Sequence, residues 1–240
     1  MHDEKPKAPA GVGIDGCHSG WLAVILDKDG KVRSRCEPEL GFLLALLPAT
    51  VLIDMPIGLP SAREPARLCD RLARKLLGKG ATSRVFSPPI REILGESDYA
   101  AACARSRELT GKAISKQAYN IMPKIRQLDA ALRVYPELQP QVRESHPEVC
   151  FARLAGQTMP PKKDSTGIRA RLACLKTHWP NAEAAFTTIR SCYGRTQVAD
   201  DDIVDAMVLA WVAVQAPLVS LPEVPPRDAC DLPMQIVCPV

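Results

Sequence analysis

Four stretches of the chain place an acid where an apolar segment gives out. Together they hold the residues best suited to chemistry. Asp15 closes the run Gly11-Val12-Gly13-Ile14, and Gly16 and Gly20 follow it; glycines there let the backbone turn tightly and let a ligand come close. Asp54 closes Val51-Leu52-Ile53 in the same way. One such aspartate is as readily a turn-former as a ligand, but the recurrence favours a shared site. Glu144 and Glu148 flank His146-Pro147. The residue before proline is held extended, so the strand should end at His146 and present Glu148 just past its mouth. The two glutamates are rival candidates for a third acid. Asp200 and Asp201 head a helix, where acids cap free N–H groups and complement the dipole, so they need no functional account. Asp205 differs, because it is the only charge between Ile203 and Val214. Burying a lone carboxylate costs several kcal/mol unless it is paired or coordinates a cation. Asp202 sits one turn earlier on the same face.

Asp15, Asp54, Glu144 or Glu148, and Asp202 with Asp205 thus offer oxygen ligands from separate elements, the donor set that Mg2+ or Mn2+ requires. Two such ions roughly 3.5–4 Å apart would stabilise both the attacking water and the leaving oxygen in phosphodiester cleavage. Cations lie along the same chain. Arg67, Arg71 and Arg74 share a face of one predicted helix, Arg84 follows in a loop, and Lys116 and Lys124 belong to a later helix. A basic face is ordinarily just solvated. The functional expectation is that Arg67, Arg71, Arg74, Arg84 and Lys116 line the mouth of the acidic site and contact phosphates. Lys124, His146 and Lys163 join them as substrate-binding candidates, and the cluster Lys162, Lys163, Arg169 and Arg171 suits an anionic ligand.

The elements that must position these groups follow from periodicity. Val12–Asp15, Trp21–Leu26 and Lys31–Cys36 read as a meander of strands, with a turn at Asp27-Lys28-Asp29-Gly30. Glu39–Leu47 carries a leucine stripe and reads as a short helix ended by Pro48; Val51–Asp54 is the fourth strand. This β-β-β-α-β order, with acids at the ends of strands one and four, is the opening of a ribonuclease H-like fold. There the two strands lie parallel and adjacent, so Asp15 and Asp54 would converge. Helices are expected at Glu64–Leu77, Asp98–Leu109 and Lys116–Val134, the last kinked by Pro123. They form a large helical insertion spanning about residues 59–140. A short strand at Gln141–Ser145 resumes the sheet, and Met234–Cys238 is a candidate edge strand. The expectation is one α/β domain over residues 11–240, built on a mixed five-stranded sheet with flanking helices, behind a loose tail at residues 1–10.

Composition sets outer limits. Charged content is 24% and net charge is +4, which permits a nucleic-acid or phosphorylated partner without demanding one. The nine cysteines are odd in number and include no C-x-x-C pair. That argues for reduced thiols in a cytoplasmic protein rather than a disulfide framework or zinc site. No apolar run reaches the ~18 residues of a membrane-spanning helix, and Met1–Pro9 has no signal-peptide core.

The chain also resembles a known family, from about Gly11 to the C-terminus. The resemblance rests on Gly13-Ile14-Asp15-Gly16-Cys17 with Gly20-Trp21, Ile53-Asp54-Met55-Pro56-Ile57-Gly58-Leu59-Pro60, Cys69-Asp70, Ser83-Arg84-Val85-Phe86, Ser115-Lys116-Gln117, Pro123-Lys124-Ile125, His146-Pro147-Glu148 and Asp201-Asp202-Ile203-Val204-Asp205-Ala206. These motifs, in this order, are similar to those of the domain of unknown function 429 family, which is grouped with predicted ribonuclease H-like nucleases. The resemblance implies that fold and a nuclease-like role. His18-Ser19 departs from it, standing where Lys/Arg-Gly is more usual. The leading expectation is a metal-dependent nuclease acting on RNA or DNA. The alternatives are a nucleotide-binding, phosphotransferase-like protein and a non-catalytic nucleic-acid-binding protein on the same fold.

Overall fold

The computed structural model describes residues 11–47, 49–162, 165–215 and 217–240. Lys163 and the expected tail at residues 1–10 lie outside them. Five strands form one sheet: β1 (Gly11–Cys17), β2 (Gly20–Leu26), β3 (Val32–Glu37), β4 (Thr50–Ile53) and β5 (Val142–Glu144). Their order is β3-β2-β1-β4-β5. The first three run antiparallel as a meander, while β4 lies parallel to both β1 and β5. The sheet is therefore mixed. The register pairs Ile14 with Ile53, and the Asp54 N–H donates to the Ile14 carbonyl at 2.9 Å. Asp15 and Asp54 thus emerge at one level on neighbouring strands.

Both faces of the sheet are buried. One core unites Val12, Ile14, Trp21, Ile25, Val51 and Ile53 with Met122, Ile125 and Leu128 of α3 (Lys116–Val134) and with the 3-10 turn Leu40–Leu46. The other joins Leu22, Val24 and Leu52 to α1 (Leu68–Leu77), α4 (Pro147–Ala155), α5 (Ser165–His178), α6 (Ala182–Cys192) and α7 (Asp200–Val214). The two-residue period of β1 sends Val12 and Ile14 to the α3 face and Gly11, Gly13, Asp15 and Cys17 to the α7 face. The glycines have a steric reason. A Cβ at Gly13 would lie 2.0 Å from the Ala206 carbonyl oxygen, and one at Gly11 would lie 2.8 Å from the Val214 nitrogen. Bare backbone at these positions lets α7 lie directly on β1, running antiparallel to it.

Several boundaries differ from expectation. The helix anticipated from Glu64 begins at Leu68, because Pro65 disfavours helical backbone at Glu64 and Arg67 turns its side chain inward. Helix α2 (Tyr99–Thr110) is capped by Asp98, whose carboxylate accepts from the Ala100 and Ala101 N–H groups at 3.1 and 3.2 Å. Helix α3 runs unbroken through Pro123. Past the mouth of β5, Pro147 opens α4, which puts Glu148 in its first turn, a position suited to proline and to an acid alike. The expected edge strand is β7 (Ile236–Pro239). It pairs antiparallel with β6 (Leu218–Leu221) in a separate two-stranded sheet and meets the main sheet through a single bridge, Ser145 with Val237. Every cysteine is a free thiol. Among the described residues no helix is long and apolar enough to cross a membrane.

Candidate metal centre

Three of the predicted acids meet. Asp15, Asp54 and Asp205 each bring a carboxylate oxygen within 4.8 Å of the other two. Each arrives by a different route: Asp15 two residues before the end of β1, Asp54 one residue past β4, and Asp205 from the second turn of α7. The glycines of β1 make the meeting possible, since only a close α7 brings Asp205 within reach of Asp15. Asp205 is 1% exposed and Asp15 is 8% exposed.

Crowding and burial act together on these groups. Burial raises the Asp15 carboxyl well above the ordinary range, and Asp54 and Asp205 push it further. Asp54 is also raised, mainly by burial, with His146 and Lys162 pulling against it. Burial pushes Asp205 up to about 6, with Lys162 opposing. Lys162 reaches in from the turn before α5, its Nζ 2.5 Å from Asp205 Oδ2 and 3.7 Å from Asp201 Oδ2. Burial disfavours its charge, but Asp205 and then Asp15 outweigh that and hold the ammonium firmly protonated. Among the described residues, Asp205 Oδ1 stays buried with no hydrogen-bond partner.

The other expected acids are engaged elsewhere. Glu144 was expected as a ligand, but it accepts from Arg67 through both oxygens at 2.7 Å and from the Ile57 N–H at 2.7 Å. Its partner Arg67 is 2% exposed and also binds Asp70 at 2.6 Å and the carbonyls of Ile57 and Gly58. Arg67 is therefore a buried clamp on the loop after Asp54, and it lines the cleft with its guanidinium already engaged by two acids and two carbonyls. Glu148 is neutralised by Arg84 at 2.6 Å and by the buried Arg171. It is close enough to raise Asp205 by its charge, yet it stands outside the cluster. Asp202 caps its own helix, accepting the Ala199 N–H at 2.8 Å; burial raises it, and its charge acts on Asp15.

Most of the expected phosphate-binding cations are similarly committed, and Arg71 faces a different cavity. Arg74 donates to the Val85 carbonyl and to Ser87 Oγ. Lys116 lies over the rings of Tyr99 and Tyr119, 4.3 and 4.9 Å from their centroids. Arg71 is exposed and lines a separate cavity of about 500 Å³ beside Glu64 and Arg227. Lys124 donates to the carbonyls of Cys17 and Gly20, at 3.1 and 2.8 Å, and so pins the β1–β2 turn. The cleft before the acids, about 150 Å³, is lined by Asp15, Asp54, Phe86, Lys124 and His146 among others. The His146 Nε2 lies 3.2 Å from the Arg84 carbonyl, which only accepts, so Nε2 carries the proton. Among the described residues, its Nδ1 is buried without a hydrogen-bond partner.

The family described as "Protein of unknown function (DUF429)" matches residues 13–227. The chain belongs to that family. Searches of curated proteins and of solved structures gave no match. All three clustered acids, together with Lys124, His146 and Lys162, fall within the segment matched to DUF429.

Sequence reasoning missed the place of Lys162. It stood in a basic cluster assigned to an anionic ligand, whereas its ammonium turns inward to the carboxylates. No spacing in the sequence links Lys162 to Asp205, which is brought to it by tertiary contact alone. Arg67 carried a weak signal, since Asp70 three residues on is a helical neighbour of opposite charge.

Proposed function

We propose that the chain is a metal-dependent nuclease on a ribonuclease H-like fold, hydrolysing phosphodiester bonds of RNA or DNA. One observation carries the reading: three carboxylates from three elements converge within 4.8 Å around a buried, unsatisfied Asp205 oxygen. Like charges so crowded repel, and a divalent cation is the group that relieves both the repulsion and the bare oxygen. The strand order β3-β2-β1-β4-β5, with β1 and β4 parallel, supports the fold assignment.

The donor set fits Mg2+ or Mn2+, since it is all oxygen. Asp15, Asp54 and Asp205 would hold the ion. When bound, it supplies a lowered pKa for attacking water and charge stabilisation at the transferring phosphoryl group. The protein's own groups divide the remaining work. The Arg67–Glu144–Asp70 clamp fixes the loop that carries Asp54, and Lys124 fixes the turn after Asp15. His146 lines the cleft, positioned by the Arg84 carbonyl, where its ring can help to orient a bound water.

The test is a calorimetric titration of manganese into the wild type and Asp15→Asn, paired with cleavage assays on single-stranded RNA, single-stranded DNA and hybrid duplex. The wild type should bind manganese and cleave at least one substrate only when the ion is present. Asp15→Asn should lose both properties. Equal manganese affinity in the two proteins would refute the centre; binding without cleavage of any substrate would refute the nuclease role.

A further inference from the structure

We infer that Lys162 is a tethered counter-cation of the carboxylate centre, which a divalent ion must displace in order to bind. The inference rests on the metal reading above and concerns the state of the centre without metal. The Lys162 ammonium engages Asp205 Oδ2 at 2.5 Å and reaches toward Asp201 at 3.7 Å. Its charge acts on Asp15 and Asp54 as well. It therefore stands where a cation is required, on an oxygen of the same residue that would ligate a metal.

Two features mark it as removable rather than built in. The Lys162 side chain is 37% exposed while that of Asp205 is 2% exposed, so the ammonium enters from the rim on a flexible stem. It also satisfies Asp205 only in part, because Oδ1 remains buried and bare. A monovalent ammonium offsets one charge of a three-carboxylate cluster. A divalent ion offsets two and can take oxygens from all three residues at once. The other cations near the site are anchored elsewhere. Lys124 is held by two carbonyls, and Arg84 and Arg171 are held by Glu148. Among the described residues, Lys162 is the cation that forms a salt bridge with Asp205.

Ammonium and metal cannot share Asp205 comfortably. A unit charge about 4 Å from a divalent ion lowers its affinity about thirtyfold even in a water-like dielectric. Metal binding should therefore turn Lys162 out toward solvent, and removing its charge should tighten binding.

The experiment uses the full chain of 240 residues and has two readouts. In the first, manganese is titrated calorimetrically into the wild type and Lys162→Met; the variant should bind at least about tenfold more tightly. In the second, wild-type lysines are acetylated with an N-hydroxysuccinimide ester, with and without manganese, and peptides are quantified by mass spectrometry. Labelling of Lys162 should rise several-fold with manganese, while Lys176, paired with Glu183 at the surface, stays constant as the internal reference. The labelling arm needs no variant and stands even if Lys162→Met fails to fold. Both results are required. Equal or weaker binding by the variant, or unchanged labelling of Lys162 in manganese, overturns displacement while leaving the metal centre standing. Absence of manganese binding in both proteins overturns the centre and the inference together.

Discussion

Replacing Asp205 with asparagine separates a metal ligand from a structural acid. The side chain is 1% exposed, and burial raises its carboxyl from an ordinary 3.8 to about 6. At ~1.4 kcal/mol per pH unit, keeping it ionised at neutral pH costs the folded state about 3 kcal/mol. Asp205→Asn keeps the shape and removes that cost. The new amide brings an N–H group to a place where Oδ1 already lacks a partner, which takes back about 1 kcal/mol. Lys162 loses its shortest contact but keeps Asp201 nearby at 3.7 Å and is free to turn outward. The net expectation at pH 7 without divalent ions is stabilisation of about 2 kcal/mol, roughly 4–8 °C in Tm for a chain of this size. The sign with pH follows from an acid whose folded value is raised. The wild type's penalty is complete above about 6, shrinks as Asp205 takes up its proton, and is gone below the unfolded value of 3.8. The two melting temperatures should thus converge as pH falls through that window and cross once the wild type's penalty drops below the amide's cost of about 1 kcal/mol. Saturating manganese should reverse their order, since a ligand at about a hundred times its Kd adds ~2.7 kcal/mol to the protein that binds it. Differential scanning calorimetry at several pH values, with and without manganese, reads all of this. A variant that melts below the wild type at pH 7 without metal would refute the desolvation argument.

Two further substitutions probe how the site is positioned. Arg67→Met should destabilise the fold by about 3–5 kcal/mol in urea denaturation, because it strands Glu144 and Asp70 without their buried counter-charge. A variant within about 1 kcal/mol of wild type that binds nucleic acid poorly would return Arg67 to the substrate-contacting role. Gly13→Ala should cost about 3 kcal/mol or more and weaken manganese binding, since the new Cβ meets α7 backbone 2.0 Å away. Gly95→Ala, where a Cβ meets nothing within 4 Å, serves as the neutral control; equal stability of the two variants would show that α7 tolerates displacement from β1.

Local patterning made the sheet legible. The β-β-β-α-β order, with apolar runs closing on aspartates in its first and fourth strands, led to the expectation that Asp15 and Asp54 stand on adjacent strands, and the parallel pairing of β1 with β4 puts them there. Asp205 was legible for a complementary reason: one charge in a wholly apolar helix must find a cation wherever that helix packs. Isolated charges on amphipathic or loop segments carry no such mark. Arg67, Arg71 and Arg74 look equivalent on a helical wheel. In the fold, Arg67 is buried on Glu144 from a strand far along the chain, Arg71 is exposed, and Arg74 holds the loop at Val85. Glu144 and Glu148 were indistinguishable as candidates, and each proved to be neutralised by an arginine from a distant segment. Lys162 was read as facing an external anion, and the anions it meets are the chain's own carboxylates. Apolar surroundings along the chain marked Asp15, Asp54 and Asp205 as acids that would be buried, while Asp70 and Asp129 are buried without any such mark. Which cation answers each buried acid was decided only by tertiary structure, because ion pairing depends on distances between segments that no local period encodes.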